Sequence, residues 1–546
     1  MNFLENFSRI GFRKFNNLTN RIDWYLKVKR DKKFVTTILR FLKNNVKLRY
    51  DSPVVIIWEL GGLEAILRRN LAVSFALNLR GYRTHFIICD GFSKACIQNE
   101  IGKQKTDCKL CYTSMVNCLN KFELDYSIGS SYLDESLVKK FEKIANSINI
   151  SEIKHYKYLD IPVGEYALSS IIRYKKGYPA DYDNYEDEAY RNYFYASLVN
   201  AYVASEVFKK KKPFGVYSSH GYYVDYAAPV FLAKKHKINS LFWSSGYANC
   251  YYYYSPKSEK KLILRNISEF EWKKRKEKDL TRVEDDKLDK FFSGRYIDKS
   301  HFDTCFFDDY ENKNSLKKKL KINNNYPIAC LFTHVYWDAG IDFPAMIFND
   351  SYEWVVESIK RMNKIENVNW LVKIHPFEYR IESNYSVLDE IKKKVSFIAP
   401  HIKILDSKLT LNTQSLFNLI DIGITIWGTI GIELPLFGKP VILAGESHFS
   451  DKGFSIDVKT REEYFHILSN ISSIKPLSRE QIDLARKYVY SYFFERQLPA
   501  NLGILDKNHN IDLNKLDKLL PGKNIYLDKI CDAIISGKDV IVDKEF

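Results

Sequence analysis

No run of eighteen consecutive apolar residues occurs anywhere in the 546-residue chain, so the sequence offers no membrane-spanning helix. The first fifty residues contain neither the apolar stretch nor the small-residue cleavage site of a secretory signal. No internal repeat appears, and no nucleic-acid-binding module accompanies the positive charge, which argues against nucleic acid as a partner. These absences point to a cytoplasmic chain. Its nine cysteines are then expected as free thiols or metal ligands rather than as disulfides. Wholesale disorder is excluded as well, since 45% of the residues are hydrophobic and 15% aromatic. The length exceeds one ordinary domain, and two or three are expected.

What is present begins with charge. The formal net charge is +16, and residues 1–50 hold thirteen Lys/Arg against three Asp/Glu, a net of +10. Within that arm Ile10, Phe12, Phe15, Leu18, Ile22 and Trp24 interleave with Arg9, Arg13, Lys14 and Arg21, and 34–46 has the same character. A basic arm with interleaved aromatics fits an anionic membrane surface or, equally, a solvated helical hairpin packed on the body.

Beyond the arm the periodicity divides the chain. In 51–254, a strand over 54–58 runs into Glu59-Leu60-Gly61-Gly62, an amphipathic segment over 64–80 and a strand over 84–89. That is the βαβ opening of a parallel sheet. Helices are expected at 137–147 and 188–209, and a further unit starts with a strand over 214–218 and ends near Trp243. Residues 255–325 turn to Lys, Asp, Glu and Asn, with Lys273-Lys274-Arg275-Lys276 as a charge run, and read as an interdomain connection with some helix. A second alternating block fills 326–495: strands over 328–332, 370–374, 402–405, 422–426 and 441–443, with helices over 353–362, 415–419 and 478–494. Residues 496–546 read as a polar tail. The expected fold is α/β: two Rossmann-like, doubly wound domains facing a central cleft, preceded by a basic helical arm.

The residues that carry chemistry gather at strand ends, where open parallel sheets bind ligands. In the second domain Lys373-Ile374-His375-Pro376 closes one strand, and Trp427-Gly428-Thr429 closes another before Ile430-Gly431-Ile432-Glu433. A strand-to-helix turn exposes backbone N–H groups that can hold a phosphate, and Gly428 lets that phosphate come close. Glu433 is placed to accept hydrogen bonds from a ribose or sugar hydroxyl. In the first domain Gly61 and Gly62 allow a phosphate or acceptor near the backbone, or simply make a tight turn. His220, in Ser218-Ser219-His220-Gly221, is a base, a phosphate ligand or a capping histidine. Trp337 and Asp338 follow another strand end, where an aspartate can also cap the next helix. Cys89, Cys96, Cys108 and Cys111 fall within one segment, but only the last pair has knuckle spacing. Zinc or an iron–sulfur cluster is one option there, buried thiols the other.

Lys373-Ile374-His375-Pro376, Gly428-Thr429-Ile430-Gly431-Ile432-Glu433 and Gly438-Lys439-Pro440-Val441 together resemble the bacterial capsule polysaccharide biosynthesis proteins, which include Kdo-transferase-like enzymes. Thr333-His334-Val335-Tyr336-Trp337-Asp338, Gly445-Glu446-Ser447-His448-Phe449 and Lys452-Gly453-Phe454 are similar to the same family, chiefly over 326–495. The resemblance implies a two-domain GT-B glycosyltransferase that moves a sugar from a nucleotide-sugar donor, CMP-linked in preference to UDP-linked. The implied acceptor is a lipid-linked or growing capsular polysaccharide. The donor pocket would comprise His375, Trp427, Gly428, Thr429 and Glu433. A base must take the acceptor's proton in an inverting transfer, and Glu59, Asp90 and His220 are the candidates. Asp181-Tyr182-Asp183 matches the metal-holding pattern of the other large glycosyltransferase fold, but its acidic surroundings before a helix read as a helix entry. No catalytic cofactor is then expected, because cationic groups and helix N-termini can meet the departing phosphate. Two rivals remain: a nucleotide-sugar epimerase, and a non-catalytic partner in capsule assembly or export.

Overall fold

The computed structural model describes residues 32–542, apart from 62–63, 98–107, 178–186, 247–249, 256–266, 296–309, 339–345, 381–382 and 409–410. Gly62, Asp181, Asp183 and residues 1–31 of the arm therefore lie outside the described residues.

The expected pair of Rossmann-like domains is present. In the first, β1 (Val54–Trp58), β2 (Arg83–Ile88), β3 (Asp125–Ile128), β4 (Gly215–Ser219) and β5 (Asn239–Ser245) run parallel in the order β5-β4-β1-β2-β3. The strand order reverses between β1 and β4, as in dinucleotide-binding sheets. β1 and β4 are buried along almost their whole length, which is why they read as apolar runs without alternation. Two antiparallel strands extend this sheet: β6 (Cys250–Tyr254) pairs with β5, and β13 (Gln497–Pro499) with β6.

The second sheet is entirely parallel. It orders β7 (Ile328–Phe332), β8 (Asn369–Lys373), β9 (Ile402–Leu405), β10 (Ile422–Thr425), β11 (Val441–Leu443) and β12 (Ile456–Asp457) as β12-β11-β10-β7-β8-β9. Here the reversal lies between β7 and β10. Among the described residues of the connection, helices Glu269–Glu277, Arg282–Arg295 and Lys313–Lys319 pack Trp272, Leu288, Phe292 and Leu316 into one apolar face of this domain.

One segment differs from the sequence-based expectation, and a second takes one of the two courses expected of it. The expected polar tail returns to the first domain: β13 joins its sheet, and helix Ile525–Ser536 buries Leu527, Ile530 and Ile534 beside Tyr217 and Leu241. Helix Lys32–Asn45 of the arm likewise packs Ile38 and Leu42 into that core, with Phe34 and Phe41 against it. Phe34 thus faces protein, not a lipid headgroup. Its six cations, Lys32, Lys33, Arg40, Lys43, Lys47 and Arg49 with the residues that follow, all stay exposed.

The domains are joined across the strand-end side by helix Val163–Lys175 of the first. Ile172 enters the second domain's core. Just beyond the helix, the Gly177 carbonyl accepts the Tyr352 hydroxyl at 2.7 Å. Asn384 donates to the carbonyls of Lys176 and Lys175 at 2.9 and 3.0 Å. Gly177 has φ +109°, and a Cβ there would stand 2.3 Å from the Tyr385 carbonyl oxygen, so only glycine fits this contact.

Candidate functional site

Trp427, His334 and His375 each lie two residues past the end of one of three neighbouring strands of the second sheet, β10, β7 and β8. These ends flank the reversal point, where the crevice of an open sheet forms. The His334 ring lies 4.6 Å from Trp427 and 6.5 Å from His375, centroid to centroid. Trp427 Nε1–H donates to His334 Nε2, which assigns the His334 ring proton to Nδ1. The Phe377 backbone N–H donates to His375 Nδ1 at 3.2 Å, so a neutral His375 carries its proton on Nε2. The His375 backbone N–H in turn donates to the Thr333 hydroxyl at 3.0 Å, tying the ends of β7 and β8 together.

Gly428 and Thr429 form the turn into the short helix Ile430–Glu433. Within it, Gly431 is required by packing, because a Cβ would stand 2.2 Å from the Phe449 ring. Glu433 is 1% exposed, so its carboxyl lies inside the fold at the base of this turn. Lys373, at the end of β8, donates to the Asp406 carbonyl at 3.2 Å, and burial lowers its pKa to about 8. Glu378, three residues after His375, accepts from the Val387 N–H, and burial raises it to about 8.

On the first domain the three proposed bases differ sharply. Glu59 is 0% exposed; its carboxyl accepts from the Tyr226 hydroxyl at 3.0 Å and from Asn70 Nδ2 at 3.1 Å. Burial dominates these bonds and raises its pKa to about 8, with Asp225 adding to the rise. It ties the end of β1 to two helices, Glu64–Asn78 and Tyr223–Lys235. Asp90 accepts from the Ser130 hydroxyl at 2.6 Å. His220 sits on a left-handed turn, φ +55°, immediately after β4, and its backbone N–H donates to the Trp243 carbonyl at 2.7 Å. The residue is half-buried, its ring stacks 5.4 Å from Tyr226, and its Nδ1 is enclosed without a partner. Burial first, and the Arg173 charge second, lower its pKa to about 4, leaving a neutral imidazole at pH 7. Gly61 follows Glu59, and its backbone N–H bonds the Glu59 carboxyl.

Sequence reasoning missed what joins the two rims. Arg173 Nη1 donates to Asp338 Oδ1 at 3.1 Å and to the Tyr223 hydroxyl at 2.9 Å. Arg173 belongs to the first domain and Asp338 follows β7 of the second, and both charges act on His220. The Arg173 guanidinium also stands 5.9 Å from the Trp337 ring centroid. Trp337 and Asp338 were visible as a polar strand end, but nothing local marked Arg173 as their partner.

Cys111 is close enough to Cys89 to act on its thiol, and Cys108 packs against Gly91. Among the described residues no three His, Cys, Asp or Glu are arranged to hold a metal ion. Burial pushes the Cys89 thiol up to about 12, which keeps it protonated.

No family model matches the chain, and no curated protein matches it by sequence. Several solved structures are similar in fold. The beta Kdo 2,4 transferase KpsC of Thermosulfurimonas dismutans shares 14% identity at a TM-score of 0.34, over 52% of this chain and 85% of that one. A glycosyltransferase from Rickettsia africae shares 14% at 0.28, over 90% and 100% of the two chains. MnaA of S. aureus, solved with UDP, shares 10% at 0.25, over 89% and 98%. All three are remote.

Proposed function

We propose that the protein is a nucleotide-sugar-dependent glycosyltransferase that extends a capsular or other surface polysaccharide. One observation carries this reading: His334, His375 and Trp427 cluster at the reversal point of one sheet, and His220 of the other domain stands beyond the Arg173–Asp338 bridge. A donor phosphate would take the His375 Nε2–H and the first backbone N–H groups of the Gly428–Thr429 turn, which a helix start leaves without intrahelical partners. As the acceptor hydroxyl attacks the anomeric carbon, the bond to phosphate breaks and the nucleotide leaves with the electron pair. Those donors meet the charge as it develops, and the reaction then needs no catalytic metal.

The acceptor's proton must go to a base. His220 is the candidate we favour, since its ring is neutral and its enclosed Nδ1 has no partner of its own, so closure of the site on an acceptor would have to bring the hydroxyl to it. Glu59 is enclosed and protonated near neutrality, which suits an anchor better than a base. A CMP-linked sugar remains the leading donor and a UDP-linked sugar the next. The exposed cations of the arm favour work at an anionic membrane surface on a lipid-linked acceptor.

The test is to incubate the protein with CMP- and UDP-sugars, with and without lipid-linked oligosaccharide, and with and without chelator. Acceptor-dependent release of nucleotide that survives chelation is the expected result. Acceptor-independent release would replace this reading with an epimerase, and no release from any donor with a non-catalytic assembly partner.

A further inference from the structure

Beneath the first domain's rim lies a buried cation that the transfer reaction does not use. Arg69, in helix Glu64–Asn78, is 2% exposed and precedes Asn70, the partner of Glu59. Its guanidinium carbon stands 4.4 Å from the Trp243 ring centroid and 3.5 Å from that of Tyr251. Nη2 donates to the Ala500 carbonyl at 3.1 Å. Among the described residues no carboxylate pairs with it; the polar groups acting on it are the hydroxyls of Tyr217, Tyr251 and Tyr253. Its Nε–H has no partner, and neither has the Nε1–H of Trp243, itself 2% exposed.

Buried charges are paired as a rule, and ring faces offset only part of the cost of taking a guanidinium out of water. Unpartnered donors on two stacked side chains, beside a cation with no carboxylate, make one half of an ion pair. The geometry points to an anion site here, in which Arg69 Nε, Trp243 Nε1 and the neighbouring tyrosine hydroxyls hold a small oxyanion. A planar guanidinium fork suits a ligand with two or more oxygens, which phosphate and carboxylate groups share. His220 donates its backbone N–H to the Trp243 carbonyl, so the site lies directly under the rim. Its occupant is either a free inorganic ion that braces the rim or an anionic group of the acceptor. The second source rests on the transferase reading; the site itself does not.

The probe is inorganic phosphate, titrated into full-length protein in phosphate- and chloride-free buffer at constant ionic strength, read by Tm and tryptophan fluorescence. A saturable rise in Tm is expected. Trp243→Phe keeps the ring and removes one donor, and should weaken the apparent phosphate Kd about tenfold. Arg69→Lys, which loses the fork, should do the same, and both variants are compared in a His375→Ala background, where the proposed donor-phosphate contact is already removed. Should Arg69→Lys fail to fold, Trp243→Phe decides alone. A wild-type protein without a saturable response overturns the site. So does an equal response in Trp243→Phe, which would mean an adventitious ion only. Phosphate that competes with the acceptor but not with the donor assigns the site to the acceptor; absence of competition assigns it to a bracing ion. A phosphate response in a protein that transfers no sugar keeps this site and removes the function proposed above.

Discussion

His375 and Glu59 both follow strands, yet their surroundings give them opposite uses. His375 has its Nδ1 occupied by a backbone N–H, which leaves a neutral ring with a donating Nε2–H for the donor phosphate proposed above. His375→Ala removes a charge-assisted bond worth about 1.5–3 kcal/mol, so kcat/KM for the donor should fall roughly 10- to 100-fold in steady-state assays. Thermal stability should change little. Glu59 is instead held protonated: its pKa rises from 4.5 to about 8, chiefly through burial. Its folded-state pKa lies above the unfolded one, so its contribution to stability is complete below pH 4.5 and lost as pH climbs through about 8. Glu59→Gln keeps the shape and has no charge to bury. Urea unfolding at pH 5, 7 and 9 should show the wild type losing up to a few kcal/mol (~1.4 per pKa unit) relative to that variant. His375, Trp427 and Glu59 were legible in the sequence because each stands beside a recognisable strand end. His334 and Arg173 were not singled out, since their significance comes from partners in other elements.

At the scale of elements, helix Val163–Lys175 connects chemistry to architecture. It carries Arg173, which bridges to Asp338 and helps to hold His220 neutral. Replacing Arg173 with Met removes the second cause of that depression, so the His220 pKa should move upward. For a general base, the acid limb of the kcat/KM profile reports this pKa. The limb should therefore shift to higher pH in Arg173→Met, and an unmoved limb would separate His220 from the base role. Helix Ile525–Ser536 offers a structural counterpart, because Ile530 is wholly buried against the first domain. Ile530→Ala should cost about 2–5 kcal/mol of stability, seen as a lower urea midpoint. Parallel strands such as β1 and β7 announced themselves as unbroken apolar runs because both faces are covered. β13 is three residues long and helix Ile525–Ser536 follows a polar stretch, so neither disclosed from sequence that it returns to the first domain, β13 to pair with β6 and the helix to pack in the core.

For the whole molecule, the unsettled relation is with a surface. The lipid-linked acceptor proposed above would require the protein to stay near a membrane, and among the described residues no helix is long and apolar enough to cross one. The arm divides into two parts with different duties. Residues 1–31 carry seven Lys/Arg and three Asp/Glu, a net of +4, with Phe12, Phe15 and Trp24 among them. Residues 32–50 carry six Lys/Arg and no acid, on a helix whose apolar face is already spent on Ile38 and Leu42 packing. That second part can meet an anionic surface only through its exposed cations, each contributing about 1 kcal/mol near the headgroups. Lys43 is paired with Glu123 at 3.2 Å and Arg49 with Asp51 at 3.5 Å, which leaves Lys32, Lys33, Arg40 and Lys47 as the main contributors. Deleting 1–50 would strip core residues and confuse unfolding with release, so the informative variant changes those four to Gln. Full-length protein should co-sediment with vesicles containing phosphatidylglycerol and leave them at high salt. The four-Gln variant should bind roughly three orders of magnitude less tightly, with an unchanged Tm and unchanged turnover on a soluble acceptor. Equal vesicle binding by the variant would move the membrane contact to residues 1–31, and absence of binding by the wild type would remove it altogether.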